Sequence, residues 1–94
     1  MDEKILEILN TTLKKYSVKG YRIRQNVDWC YGIDNEEGKW ITYTVDRGAR
    51  GGKKPHKSLY DACLALIIQV VKDEKTKTRI IQEFLNLAYP MDIA

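Results

Sequence analysis

A basic stretch at residues 47–57 is the densest concentration of groups that could bind a ligand. It contains three glycines, five lysines or arginines and His56, and it has no acidic residue. Positive charge on a flexible segment can contact nucleic acid, an acidic protein or a phosphate group. The stretch lacks the glycine, lysine and Ser/Thr spacing of a nucleotide-binding P-loop. The sequence therefore predicts a basic loop, with a short edge strand inside it as the alternative. Its cations are Arg47, Arg50, Lys53, Lys54 and Lys57.

Trp40 and two arginines form a second candidate binding surface. Arg22 and Arg24 alternate with apolar residues, so both should lie on the polar side of one strand, where they could bind carboxylates or phosphates. Trp40 stands among threonines and charges, a setting typical of an interface anchor or of a side chain covered by a loop or the chain end. The candidate partner-binding residues are Trp40, Arg22, Arg24, Asp34, Thr42, Thr44, Arg47 and Arg50.

The residue content argues against an enzyme. The chain has one histidine and two cysteines, Cys30 and Cys63, so it offers no Cys/His cluster for zinc and no serine–histidine–acid set. We expect no catalytic residue, no metal and no cofactor. The two cysteines are expected to be free thiols, because no targeting sequence or membrane-spanning apolar run is visible and the chain looks cytoplasmic.

Periodicity predicts one α+β domain of order α-β-β-β-α-α, a small antiparallel sheet with helices packed on one face. A chain of 94 residues is long enough to bury a single core. The predicted elements are a helix at 2–16, strands at 21–27, 29–35 and 39–46, the basic glycine-rich loop at 47–57, and helices at 58–72 and 78–88.

The helix at 58–72 should be the centre of the fold. Apolar residues recur at helical spacing from Leu59 to Val71, and a second apolar row widens the buried surface. Ser58 can accept a hydrogen bond from the backbone N–H of Asp61, which marks the start of the helix. The residues expected against the sheet are Leu59, Cys63, Leu66, Ile67 and Val70.

The turn between the second and third strands predicts their register. A three-residue loop closed by Gly38 would pair Asn35 with Lys39. The side chains then expected on the helix-facing side are Trp29, Tyr31, Ile33, Ile41, Tyr43 and Val45. Those expected on the outer face are Cys30, Gly32, Asp34, Trp40, Thr42, Thr44 and Asp46.

Four short segments between Trp29 and Cys63 resemble small immunity proteins of bacterial polymorphic toxin and contact-dependent growth inhibition systems. They are an aromatic strand at 29–33, a Gly-Lys-Trp hairpin at 38–43, an acidic-Arg-Gly end at 46–48 and an Ala-containing helix at 58–63. The resemblance implies a non-enzymatic protein that binds and neutralises one cognate toxin C-terminal domain, of nuclease or NAD-consuming type. The basic loop departs from the acidic surfaces usual among inhibitors of basic nucleases.

The element order also resembles that of a double-stranded RNA-binding domain. Lys53, Lys54 and Lys57 resemble that domain's phosphate clamp, which would bind duplex RNA through its backbone. Three departures disfavour a nucleic-acid partner. Pro55 and the Ser58 cap place these lysines before the helix, the domain's Gly-Pro-x-His loop is missing between the first two strands, and the third helix is extra. An interaction module of another kind remains a third possibility.

Overall fold

The computed structural model describes the backbone of residues 2–93 and the side chains of residues 2–89. It has the predicted α+β class, with helices packed on a small sheet. In chain order the elements are α1 (Asp2–Lys15), β1 (Tyr21–Ile23), β2 (Tyr31–Glu36), β3 (Lys39–Asp46), β4 (Ala49–His56), α2 (Leu59–Val70) and α3 (Glu74–Ile93).

The sheet has four strands in the order β1-β2-β3-β4 and is mixed. Strands β2, β3 and β4 are antiparallel neighbours, as predicted for the hairpin, but β1 runs parallel to β2. A parallel neighbour requires the chain to return to the starting end of the sheet. Residues 24–30, which we name the crossover segment, make this return.

Two predicted strands are shorter than their sequence patterns. The strand predicted at 21–27 ends at Ile23, because Arg24 has a φ of 59° and turns the chain out of the sheet. The strand predicted at 29–35 begins at Tyr31, because Trp29 has a φ of 69°. Alternation of polar and apolar residues therefore extends past the point where the backbone leaves the sheet.

The basic segment, predicted as a loop with a short edge strand as the alternative, contains the eight-residue edge strand β4. The register of the β3–β4 pair shifts between Thr42 and Thr44, where two residues of β4 lie opposite Tyr43. Gly52 supplies one of these residues with a φ of 56°, so its lack of a side chain permits the bulge. The glycines that predicted a loop instead serve a bulge and the β3–β4 turn.

The β2–β3 register differs by one residue from the prediction. Glu36 pairs with Lys39 and Ile33 with Thr42, so the turn has two central residues, Glu37 and Gly38, rather than three. Their φ values of 53° and 83° are those of a two-residue turn with both residues left-handed. This slip moves Trp40, Thr42 and Thr44 to the helix-facing side. The side chains that it moves to the outer face are Ile41, Tyr43 and Val45.

The helices supply most of the main core. Ser58 accepts the predicted hydrogen bond from the Asp61 N–H at 3.1 Å and caps α2. Helix α2 packs on β2, β3 and β4, while α1 and α3 pack against each other and against α2. The centres of the expected apolar faces are buried in all three helices, with Leu9, Leu13, Leu66, Ile67, Ile80 and Phe84 fully enclosed. The second apolar row expected on α2 is only partly covered, because Ile68 is 53% exposed.

Helix α3 is longer than predicted at both ends. It begins at Glu74, because the carboxylate of Asp73 accepts the N–H of Thr76 at 2.9 Å and satisfies a donor of the first turn. It continues to Ile93, past Pro90, where a helix end was predicted. Proline removes one N–H donor, and a helix can continue beyond that position with a bend. Among the residues described, no helix is long and apolar enough to cross a membrane.

Candidate functional site

The outer face of the sheet carries a closed network of charges. Arg50 donates hydrogen bonds at 2.9 Å to Asp34 and at 3.0 Å to Glu36, and Lys53 bonds the other Glu36 oxygen at 2.9 Å. The Arg50 guanidinium also lies over the ring of Tyr43, 4.1 Å from its centroid. These cations are neutralised within the protein, so we do not expect them to bind an external anion strongly. We name Asp34, Glu36, Tyr43, Arg50 and Lys53 the outer-face network.

Burial and pairing shift two pKa values in this network. The pKa of Tyr43 is raised chiefly because its phenol is buried. The pKa of Glu36 is lowered by its hydrogen bond with Lys53 and, second, by its bond with Arg50. Both shifts favour the protonation states that the network needs at neutral pH, with a neutral phenol and an ionised carboxylate.

The crossover segment is bonded to the outer face along its length. The Tyr43 hydroxyl donates to the carbonyl of Gln25 at 3.0 Å, and Arg50 Nε donates to Asn26 Oδ1 at 2.7 Å. Asp28 Oδ1 accepts the backbone N–H of Gly48 at 2.8 Å. The segment therefore covers part of the sheet face that was predicted to be open to solvent.

Trp29 is the most exposed large apolar side chain among those described, with 86% of its surface accessible. Its backbone is held in place: the Trp29 N–H donates to the Val45 carbonyl at 3.0 Å, and the Val45 N–H donates to the Cys30 carbonyl at 3.2 Å. Val27, two residues away, is 37% exposed. The fold thus fixes a tryptophan backbone and leaves its indole in solvent.

The structure gathers only part of the predicted binding set on the outer face. Arg22, Asp34 and Arg50 lie there, and Arg22 donates to its neighbour's carbonyl, Tyr21 O, at 2.7 Å. Arg47 lies exposed in the β3–β4 turn, with a φ of 53°. The predicted residues that lie instead on the helix-facing side are Trp40, Thr42 and Thr44.

Trp40 is half-buried and packs against the main core, so the prediction of an outer-face anchor was wrong. The Arg24 guanidinium lies 5.9 Å from its ring centroid and also forms ion pairs with Glu3 and Asp34. Thr42 is buried, and its hydroxyl lies 2.9 Å from His56 Nε2. Trp40 and the Arg24–Glu3 pair thus connect the sheet to the helices, and the Thr42–His56 contact joins β3 to β4.

The three lysines of the RNA-binding alternative do not form one clamp. Lys53 and Lys54 are consecutive in β4, so their side chains point to opposite faces of the sheet. Lys53 is paired with Glu36, whereas Lys57 follows the end of the strand. As expected from the sequence, all three lysines precede α2, so they cannot adopt the helical spacing of that domain's phosphate clamp.

The cysteines and the acidic residues show no arrangement for chemistry in the described part of the chain. Cys30 and Cys63 are both free, and burial raises the pKa of the Cys63 thiol to about 12. A thiol with such a pKa stays protonated at neutral pH and is a weak nucleophile. Within residues 2–89, no group of three or more His, Cys, Asp or Glu side chains could hold a metal ion.

Sequence patterning misplaced Trp29 because it continues the alternation of the following strand. A signal for its true position was present in Asp28, which can accept a backbone hydrogen bond and so favours a turn. Comparison of the chain with protein-family models, with curated proteins and with solved structures gives no match. The site is therefore interpreted from its own geometry.

Proposed function

We propose that this protein is an immunity protein, which binds one cognate bacterial toxin domain and neutralises it without catalysis. The observation that carries the proposal is the exposed indole of Trp29 on a backbone held by sheet hydrogen bonds. Tryptophan is enriched among the few residues that dominate binding energy at protein interfaces. Full exposure of such a side chain gives no stability to the isolated fold, so a partner is the simplest reason for it.

Rigid presentation favours tight binding. Asn26 and Asp28 bond to the β3–β4 hairpin, and Gln25 bonds to Tyr43, so the crossover segment is ordered before a partner arrives. A preordered segment loses less conformational entropy on association, which leaves more of the contact energy as affinity. An inhibitor that must hold one target benefits from this arrangement.

The surroundings of Trp29 also suit a protein partner. Val27 adds apolar surface, and exposed Arg47 forms no ion pair with the described residues. The paired charges of the outer-face network lie beyond them and have little remaining attraction for a polyanion. An apolar centre with a polar rim is the usual composition of a protein interface.

The four segments that carry the family resemblance lie in the end of the crossover segment and β2, in β3, in the β3–β4 turn and in α2. Helix α2 packs on β2 and β3. The resemblance supplies the class of partner: the C-terminal domain of a toxin, of nuclease or NAD-consuming type, delivered between bacteria. In this proposal the protein acts in the cytoplasm, where such a toxin would reach its target.

Co-expression with the toxin encoded beside this gene tests the proposal. Cells should survive with the wild-type protein, and Trp29→Ala should weaken the complex by at least about 2 kcal/mol, mainly through faster dissociation. Leu87→Ala is the matched control, because Leu87 is 57% exposed on α3, which packs on α1 and α2, whereas the crossover segment is bonded to the outer face of the sheet.

Two results would contradict the proposal. If the wild-type protein protects against no linked toxin, the function is wrong. If Trp29→Ala and Leu87→Ala protect equally and bind with equal dissociation rates, the interface does not centre on Trp29. Circular dichroism of both variants establishes that each one is folded.

A further inference from the structure

The two edges of the sheet differ in how they are protected against pairing with another strand. The β4 edge carries Pro55, two lysines and the bulge at Gly52, all of which hinder an added strand. The β1 edge has no proline, lysine or bulge; it is three residues long and carries one charge, Arg22. The sheet is therefore open to strand addition on the β1 side.

The hydrogen-bond pattern shows which groups of β1 face outward. The Tyr31 N–H donates to the Gly20 carbonyl, and the Arg24 N–H donates to the Ile33 carbonyl, each at 2.9 Å. In a parallel pair every second residue bonds the neighbour, so Tyr21 and Ile23 direct their backbone groups away from β2. The Arg22 side chain donates to the Tyr21 carbonyl. The outward groups that could bond an added strand are therefore the N–H groups of Tyr21 and Ile23 and the carbonyl of Ile23.

A groove of about 1000 Å³ runs between this edge and α1. One row of α1, from Glu3 to Lys14, forms its wall, and the half-buried Ile23 adds apolar surface. The eleven helical rises from Glu3 to Lys14 span about 16 Å, which matches roughly five residues of extended chain. The groove therefore has the length of one short strand.

The charges on the groove favour a particular occupant. Glu7 lies in the wall, is exposed and forms no hydrogen bond or ion pair with the described residues. Lys14 and Lys19 line the other end, and Arg22 adds a cation on the β1 side. Glu3 and Arg24 also line the groove but are paired with each other. An extended segment with a basic side chain beside Glu7 and an acidic one toward Lys14 and Lys19 would be complementary.

A second copy of this chain fits the edge poorly. Antiparallel pairing of two β1 strands about a twofold axis at Arg22 would place the two Arg22 guanidinium groups directly opposite each other, which is destabilising. Three paired residues also bury far less than the roughly 1,200 Å² of a standard stable interface. The occupant is thus expected to come from a different protein that is held at further points.

We propose that one extended segment of the toxin domain adds to the sheet at β1, with a basic side chain opposite Glu7. This inference rests on the proposed function and deepens it. Cys30, next to Trp29 in the chain, also lines the groove, so a partner anchored on Trp29 has the β1 edge within reach. Main-chain hydrogen bonds to β1 would set the register of the added strand. The ion pair between Glu7 and the basic side chain of the toxin segment would make the binding selective.

Amide hydrogen exchange measured by NMR on the ¹⁵N-labelled protein, free and bound to the toxin domain, tests this strand addition. The amides of Tyr21 and Ile23 should exchange at least tenfold more slowly in the complex. The Arg24 amide, already bonded to Ile33, should change little and serves as the internal control. Unchanged exchange at Tyr21 and Ile23 in a complex that has formed would overturn the inference and leave the proposed function standing.

A charge-reversal variant provides a second readout. Glu7→Lys should weaken the complex roughly tenfold, because it places like charges together at the groove wall. Glu37→Lys is the matched control, since Glu37 is exposed in the β2–β3 turn and outside the groove. Equal affinities for the two variants would contradict the assigned charge pair. Absence of any complex with the wild-type protein would overturn both proposals.

Discussion

The ring of Tyr43 lies directly over Gly32 on the neighbouring strand. A Cβ atom placed on Gly32 would be 2.2 Å from two ring carbons of Tyr43. Carbons that are not bonded to each other cannot approach so closely, so the ring or the backbone would have to move. The ring in turn supports the Arg50 guanidinium, and its hydroxyl holds Gln25 of the crossover segment. One missing side chain thus permits the stack that ties the crossover segment to the sheet.

Gly32→Ala should destabilise the protein by about 1–3 kcal/mol, because the added methyl displaces the Tyr43 ring. Urea unfolding of the single variants and of the Gly32→Ala, Tyr43→Ala double variant measures the coupling. The double variant should lose less unfolding free energy than the two single variants lose in sum, since truncation of Tyr43 removes the clash. Additive losses would show that the ring is not the obstacle.

The two tryptophans should differ in their effect on stability. Trp40→Ala should lower the free energy of unfolding by about 2 kcal/mol, because Trp40 packs on the core. Trp29→Ala should change it by less than about 0.5 kcal/mol, because the indole is in solvent. Thermal and urea unfolding of both variants provide the comparison, and a reversed order would contradict the register of β3.

Leu66 is fully enclosed at the centre of α2. Leu66→Ala should cost about 2–5 kcal/mol through lost burial and the cavity that remains. Ile68→Ala is the control on the same helix, because Ile68 is 53% exposed and its loss should change stability little. Equal destabilisation by the two variants, measured in urea, would be inconsistent with the packing of α2 on the sheet.

Acid should weaken the fold through Glu36 and Glu83. The pKa of Glu83 is lowered by hydrogen bonds from Tyr16 and then Lys15, and that of Glu36 by Lys53 and then Arg50. A carboxyl group whose pKa is lowered by folding stabilises the protein at pH values above 4.5, the ordinary pKa of the group. This stabilisation is lost as the pH falls through the lowered pKa of the folded state. Stability should therefore decrease below about pH 4.5.

The variants Glu36→Gln and Glu83→Gln test the origin of that decrease. Each should flatten the dependence of unfolding free energy on pH on the acid side, because it removes one group that takes up a proton on unfolding. Glu37→Gln is the control, since Glu37 is exposed and forms no ion pair with the described residues. If unfolding free energy falls equally steeply with decreasing pH in all three variants and the wild type, the loss of stability in acid comes from other groups.

The sequence alone determined the features that depend on local pattern. Helical spacing identified the buried faces of α1, α2 and α3, and the Ser58 cap located the start of α2. Alternation located β3 and most of β2. These features follow from which side chains avoid water and which backbone groups lack partners, and both can be assessed from neighbours in the chain.

Only the tertiary structure decided which face each strand shows to the helices. Strand alternation has a period of two, so a turn shorter by one residue reverses the face of every β3 side chain relative to β2. Tyr43 fits over Gly32 only in the observed register, and Arg50 from β4 then closes the outer face. These contacts lie between residues distant in sequence, and they left Trp29, rather than Trp40, exposed to solvent.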